Sequence, residues 1–228
     1  MHVFVRFSKC NMKCDIEAGP LSPGGFVCDT EFDSGTRMTL PEIDYECRVV
    51  MENRNASPDH PCKFLLLTGG EPALQYDIEF YTFMKAQNWA LAIETNGSIE
   101  LPLRQSISGE AITAYNEATN EMARVIALQV VLGAYACDWI CVSPKVAEHG
   151  IKQRWAHEVK YVRAHGQALL TKSAVRAMYY LISPTVDSLT VEHEPMLQNS
   201  HLSWCIKLVS ENPQWRLSVQ QHKFWRVR

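Results

Sequence analysis

The polar and apolar positions of this chain change period several times, and the changes mark its elements. In "HVFVRF", Val3, Val5 and Phe7 recur at every second position, which predicts a strand running towards Cys10. Thr39 and Glu42 form a T-x-x-E capping box with Pro41 in the first turn. Ile43, Cys47, Val50 and Met51 follow at helical spacing, so a helix is expected over about 40–53. "NASPDHP" breaks it. "CKFLLLTGGEP" is then a short, wholly apolar run ending in Thr68-Gly69-Gly70, the pattern of a parallel strand buried on both faces. A helical stretch at about 74–87 leads to "WALAIETNGS", a second buried strand that stops at Glu94-Thr95-Asn96-Gly97. "DWICVSPK" repeats the pattern and ends at Ser143-Pro144-Lys145, and "HEVKYV" and "AMYYLISP" read as further strands. Residues 104–136 break the rhythm: Ile112, Tyr115, Met122, Val125 and Ile126 predict one long amphipathic helix inserted between two strands.

Strands alternating with helices imply an α/β fold with a parallel sheet or barrel, because parallel neighbours need crossover connections. In such folds the chemistry collects at the carboxyl ends of the strands. The cysteine loop after the first strand, "TGGEP", "ETNG" and "SPK" all fall at such ends.

Composition narrows the function. With 228 residues and 46% hydrophobic content, the chain can bury a sizeable core as one globular domain. A net charge of -3 and a pI of about 6.2 give no basic footprint for nucleic acid, which favours a small-molecule substrate. No window reaches the length of apolar run that a membrane span needs, and "MHVFVRFSKC" lacks the order of a secretory signal, so a cytoplasmic protein without membrane contact is expected. Eight cysteines in that compartment point to metal ligation, catalysis or core burial before disulfides, and "NAS" at Asn55 is then a chance sequon.

Three cysteines stand together: Cys10, Cys14 and, beyond a Pro/Gly loop, Cys28. A disulfide pair, a zinc site, an iron–sulfur cluster and separate core thiols are all open on count alone. Zinc usually takes four ligands as two close pairs, and no second pair lies nearby. Three thiolates suit a [4Fe-4S] cluster whose fourth iron is left for a non-protein ligand. Cys47, Cys62, Cys137, Cys141 and Cys205 lie in or beside apolar elements and read as core thiols. Gly69 and Gly70 make either a tight turn or a backbone surface that a ligand approaches closely. Glu94 is a satisfied cap or a ribose ligand, Ser143 and Lys145 a polar rim, and His222 a structural or ligand-touching residue.

"RFSKCNMKC", "CDTEF", "TGGEP", "ETNGS", "CVSPK", "HEVKYV" and "WRLSVQQHK", in this order, resemble the radical S-adenosylmethionine (SAM) superfamily and, within it, the 7-carboxy-7-deazaguanine synthase (QueE) family. The resemblance covers most of the chain outside residues 104–136. It implies a partial (β/α) barrel with an inserted helix, in which Cys10, Cys14 and Cys28 hold a [4Fe-4S] cluster and the open iron binds SAM. It places Gly69, Gly70, Glu71, Glu94, Ser143, Pro144, Lys145 and Ser183 at the cofactor. Arg6, Thr68, His222 and Arg228 fall at the substrate, and Thr30 at a Mg²⁺ ion. The implied reaction is ring contraction of 6-carboxy-5,6,7,8-tetrahydropterin to 7-carboxy-7-deazaguanine with loss of ammonia. A homodimer, and an external electron donor such as flavodoxin or ferredoxin, are implied with it.

The sequence departs from the family in two places. Thirteen residues separate Cys14 from Cys28, where the usual spacing is C-x3-C-x2-C. The family's Gln-Gly-Glu-Gly segment, expected ahead of "HVFVRF", is not in the printed chain, so cluster assembly and SAM binding are expected to survive better than pterin binding. Two other readings stay open on sequence. Another radical SAM enzyme, such as a glycyl-radical activase, would share the cluster but act on a protein. A non-catalytic metal-binding module would share only the cysteines.

Overall fold

The period-two run at the start is strand β1 (His2–Phe7), and the capping-box segment is helix α1 (Leu40–Glu52). This computed structural model describes residues 2–12, 14, 32–52, 63–145, 147–170, 172–185 and 199–219. Cys28, Thr30, Cys62, His222 and Arg228 lie outside them. The two apolar runs are β2 (Lys63–Gly69) and β3 (Trp89–Thr95), joined through a short 3-10 turn at Pro72–Leu74 and helix α2 (Ile78–Ala86). Helices α3 (Gly109–Glu117) and α4 (Glu121–Leu132) precede β4 (Trp139–Val142). Strands β5 (Trp155–Arg163) and β6 (Arg176–Pro184), helix α5 (Asn199–Glu211) and strand β7 (Trp215–Leu217) complete the order.

Two compact units divide these elements, and the chain passes between them more than once. The first holds β1, β2, β3, the first three residues of β4 and α1 to α4. The second holds residues 96–98, the segment from Val142 onward, β5, β6, β7 and α5.

In the first unit β1, β2 and β3 are parallel neighbours, with Val3 beside Leu65, Val5 beside Leu67, Leu65 beside Leu91 and Leu67 beside Ile93. Leu65, Leu67, Leu91 and Ile93 are wholly buried with Phe80 and Met84 of α2. Hydrophobic burial on this face fixes the register, since a slip by one residue would turn the row of Arg6 and Thr68 into the core. The glutamate half of the capping box forms: the Thr39 N–H donates to Glu42 Oε2 at 2.6 Å, while the Thr39 hydroxyl donates to the same oxygen at 2.8 Å. Asp138 ties the start of β4 to β3 by accepting from the Leu91 N–H at 2.8 Å, while Lys85 holds its carboxylate at 2.9 Å.

In the second unit β5, β6 and β7 are parallel in that order, with Tyr161 beside Ile182, Val162 beside Ser183 and Ile182 beside Leu217. Parallel strands with intervening helices bear out the α/β reading.

The segment after β3 corrects one expectation. The long helix expected within 104–136 is two helices, because Asn120 starts a new one: its side chain accepts from the Ala123 N–H at 2.9 Å. An Asn side chain competes for backbone donors and so begins helices more readily than it continues them. Helix α5 was not foreseen, although Leu202, Cys205 and Leu208 recur at helical spacing.

Replacing Asn120 with Ala removes the α4 cap, and the expected loss is about 1 kcal/mol. A denaturant midpoint against the parent chain reads it, with Asn120→Asp expected to retain most of the stability.

Candidate active site

The first unit's site is built around a loop that the strand pattern only partly anticipates. After Phe7 the chain turns at Lys9, whose φ of 71° is left-handed, and reaches Cys10. That conformation costs an L-residue about 1–2 kcal/mol, so the surroundings must hold it. They do so from both sides. The Gly70 N–H donates to Phe7 O at 2.9 Å, the Glu71 N–H to Lys9 O at 2.9 Å, and the Lys9 N–H to Phe32 O at 2.6 Å. The Gln75 side-chain amide donates to Ser8 O at 2.7 Å.

This clamp explains the glycines of "TGGEP". A Cβ at Gly70 would lie 2.0 Å from Lys9 O, and one at Gly69, where φ is 108°, would lie 2.4 Å from Phe7 O. Both contacts are with backbone and cannot be relieved by a side-chain rotation. The glycine pair therefore seats the cysteine loop, a role that the sequence reading missed. Phe32, directly after "CDTE", supplies the opposing carbonyl.

Glu71, which the resemblance places at the cofactor, has its carboxylate engaged inside the protein. It is fully buried, caps the 3-10 turn by accepting from the Ala73 N–H at 3.0 Å, and accepts from the Thr95 hydroxyl at 2.6 Å. It thereby links the ends of β2 and β3. Its neighbour in kind, Glu94, is only half-buried and lies 3.5 Å from the Thr68 hydroxyl. Arg6 is the register partner of Thr68, so the two side chains share one face of the sheet. A guanidinium, a hydroxyl and a carboxylate thus stand across the carboxyl ends of three adjacent parallel strands. Such a row recognises a ligand with an anionic group at one end and N–H donors at the other.

The second unit carries the remaining described residues. Ser143 and Lys145 are half-buried with Pro144 buried between them, and Lys145 Nζ donates to Ser143 Oγ at 3.1 Å. The Asn96-Gly97 turn is fixed nearby in the same unit. Gly97 has a φ of 78°, its carbonyl accepts from the Lys152 and Gln153 N–H groups at 2.7 and 3.0 Å, and a Cβ there would lie 2.7 Å from Val142 Cγ1. Ser183, at the end of β6, is fully buried, and its hydroxyl has no hydrogen-bond partner among the described residues. An orphaned buried hydroxyl costs about 1–3 kcal/mol, so its retention fits a ligand that supplies the missing partner.

The thiols divide sharply. Cys10 and Cys14 are half-buried and in no disulfide, whereas Cys47, Cys137, Cys141 and Cys205 are buried. Burial pushes the Cys47 and Cys205 thiols up to about 11 and that of Cys137 up to about 12. These three stay protonated at neutral pH and make poor metal ligands. Among the described residues no group of three His, Cys, Asp or Glu side chains is gathered for a metal. The trio of Cys10, Cys14 and Cys28 includes a residue outside them. Among the described cysteines, Cys10 and Cys14 are the two that are not buried, and thiolate is the donor that iron–sulfur clusters take.

No protein-family model matches the chain. It is similar to curated proteins named 7-carboxy-7-deazaguanine synthase over nearly its whole length. That of Burkholderia multivorans is 29% identical, covering 99% of this chain and 89% of the relative. That of Bacteroides thetaiotaomicron is 28% identical, covering 99% and 87%. The crystal structure of QueE from Escherichia coli has a similar fold, with a TM-score of 0.50 at 15% identity over 96% of this chain and 84% of that one.

The clamp and the thiol division are each testable. Gly70→Ala forces Lys9 away and should cost about 3 kcal/mol, and iron bound after anaerobic reconstitution should fall with it. Alkylation of the iron-free folded chain at pH 8 should modify Cys10 and Cys14 within minutes and leave Cys47, Cys137 and Cys205 intact until denaturant is added. Mass-spectrometric mapping of the labelled sites measures it, and fast labelling of Cys137 would contradict the burial argument.

Proposed function

We propose that this chain is a member of the 7-carboxy-7-deazaguanine synthase family of radical SAM enzymes and contracts the ring of 6-carboxy-5,6,7,8-tetrahydropterin to 7-carboxy-7-deazaguanine, releasing ammonia, in queuosine-type deazapurine biosynthesis. The near full-length similarity to proteins of that name carries the proposal. The clamped Cys10 loop and the row of Arg6, Thr68 and Glu94 support it from the residues upward.

Cys10, Cys14 and Cys28 would hold the [4Fe-4S] cluster and leave one iron for SAM. When bound, the cluster supplies the electron that cleaves SAM to methionine and a 5′-deoxyadenosyl radical. The protein's share is placement. Backbone bonds from Gly70, Glu71 and Phe32 hold the segment that leads to Cys10, so the first thiolate would be presented at a reduced ordering cost. Ser143, Pro144, Lys145 and Ser183 would line SAM, with the Ser183 hydroxyl finding there the partner that it otherwise lacks. Gly69, Gly70, Glu71 and Glu94 would join them at the cofactor, with Glu94 as a ribose ligand, while Arg6 offers a planar fork to the pterin carboxylate and Thr68 an acceptor to the ring's N–H edge. His222 and Arg228 are proposed at the far side of the substrate. Thr30 would give a hydroxyl oxygen to Mg²⁺, a hard cation that takes oxygen ligands and keeps waters. Holding the reacting carbon in place and excluding water protects the radical until hydrogen transfer.

A single domain, a homodimer, a reducing protein such as flavodoxin or ferredoxin, and a cytoplasmic location complete the proposal. Among the described residues no helix is long and apolar enough to cross a membrane.

Anaerobic reconstitution with iron, sulfide and SAM tests it. The expected outcome is SAM cleavage coupled to 7-carboxy-7-deazaguanine formation when the pterin is present. SAM cleavage with no pterin-derived product would favour an activase acting on a protein, and no SAM cleavage a non-catalytic metal module. Arg6→Ala should raise the KM for the pterin roughly ten- to hundredfold, the equivalent of about 1.5–3 kcal/mol for a charge-assisted pair, with the KM for SAM unchanged.

A further inference from the structure

Arg163, the last residue of β5, is only 2% exposed. Its Nε donates to Ala168 O at 3.0 Å, its Nη1 donates to Val162 O at 2.8 Å, and its guanidinium lies 5.0 Å from the centre of the Tyr161 ring. Two carbonyls and a ring are its partners, and among the described residues no carboxylate pairs with it. Glu148, at the far end of the Tyr161 side chain, is engaged by that hydroxyl at 2.7 Å. Burial lowers the pKa of Arg163, yet an arginine stays charged at neutral pH. Enclosing a cation without a counter-charge is costly, and an apolar side chain would fill the space without that cost. The guanidinium at this place calls for a use.

We propose that Arg163 is a positioning residue for the cofactor pocket: its side chain fixes the end of β5, and that end fixes Ser183. The inference rests on the reading that Ser183 lines SAM. Direct contact is ruled out by side-chain direction. Arg163 shares the face of Tyr161, two residues earlier, whereas Ser183 is the register partner of Val162 and points to the opposite face. The connection runs through the backbone instead. Pro184, the register partner of Arg163, has no N–H to give, so Thr185 closes the pair by donating to Arg163 O at 3.0 Å. Ser183 is thus held by the paired strand below it and by that bond above. The Cys205 thiol of α5 donates to the same carbonyl at 3.7 Å. From the other side the guanidinium grips Val162 O and Ala168 O. Gln167 closes the turn between them, its side chain accepting from the Ala164 N–H at 2.8 Å and its own N–H donating to Ala164 O at 3.2 Å. A carbonyl that cannot swing keeps Thr185, and with it the buried Ser183 hydroxyl, in place before SAM binds. A planar fork is suited to this task, because a single ammonium cannot both span two carbonyls and lie flat on a ring.

Hydrogen exchange and a double-mutant cycle test the route. In the ligand-free folded chain, amide exchange at Thr185 should quicken at least roughly tenfold in Arg163→Met, while that of Val159, lower on β5, stays unchanged. On the anaerobically reconstituted chain, the dissociation constant of SAM should rise roughly tenfold in Arg163→Met and in Ser183→Ala, and no further in the double variant, because both changes cut one route. Arg163→Lys keeps the charge and the aliphatic stem and serves if the methionine variant folds poorly; its SAM affinity should fall roughly threefold. Unchanged exchange at Thr185, multiplied losses in the double variant, or parent-like SAM affinity in Arg163→Lys would each overturn the role of Arg163 and leave the proposed reaction untouched. Parent-like SAM affinity in Ser183→Ala would overturn the pocket placement and this inference with it, and an unsubstituted chain that binds no SAM would overturn the proposed function itself.

Discussion

The missing side chain at Gly70 is the constraint on which the rest depends. Because nothing projects from its Cα, the Lys9 backbone lies where a Cβ would otherwise be, 2.0 Å from Lys9 O. That approach lets the Gly70 and Glu71 N–H groups bond the carbonyls of Phe7 and Lys9. Those bonds stabilise a left-handed lysine that would otherwise relax, and the lysine aims the chain at Cys10. Both partners are strand ends held in register by Val3, Val5, Leu65 and Leu67, so the precision of the loop derives from the burial of apolar side chains one turn below.

Charge is distributed by the same economy of burial. Two glutamates stand at neighbouring strand ends. Glu71 is sealed in and satisfied by Ala73 and Thr95, which makes it a bracket between β2 and β3. Glu94 is half open beside Thr68 and, with Arg6 opposite Thr68, leaves a polar row for a ligand. The cysteines follow the same rule. Depth keeps Cys47, Cys137 and Cys205 protonated, while Cys10 and Cys14 stay reachable. One chemical group thus serves structure or chemistry according to how far it lies from water.

Much of this was legible in the sequence, for physical reasons. Buried parallel strands leave continuous apolar runs, so "KFLLLTG" and "WALAIET" announced themselves, and the T-x-x-E box located α1. The strand ends were legible too, because Gly, Asn and Pro cluster where a strand stops. Other features were not. The break at Asn120 was hidden inside a helical pattern, since apolar periodicity continues across a capped turn. The bracket that Glu71 makes was hidden because its partner Thr95 is distant in sequence and close only through the pairing of β2 and β3. The seat that Gly70 gives Lys9 was hidden for a related reason: a glycine's use depends on what lies against it, and the Lys9 backbone arrives from the preceding strand. Long-range contacts decide such roles, and periodicity carries no information about them.

The central claim is that residues 7–10 are held ready, by the glycine pair on one side and Phe32 on the other, to present Cys10 to a cluster. A crystal structure of the anaerobically reconstituted chain with SAM tests this most directly. The account predicts Cys10 Sγ bonded to iron, Lys9 still left-handed, and the bonds from Gly70 to Phe7, Glu71 to Lys9 and Lys9 to Phe32 intact. A loop that rebuilds its backbone to reach the iron, or a cluster held without Cys10, would contradict it.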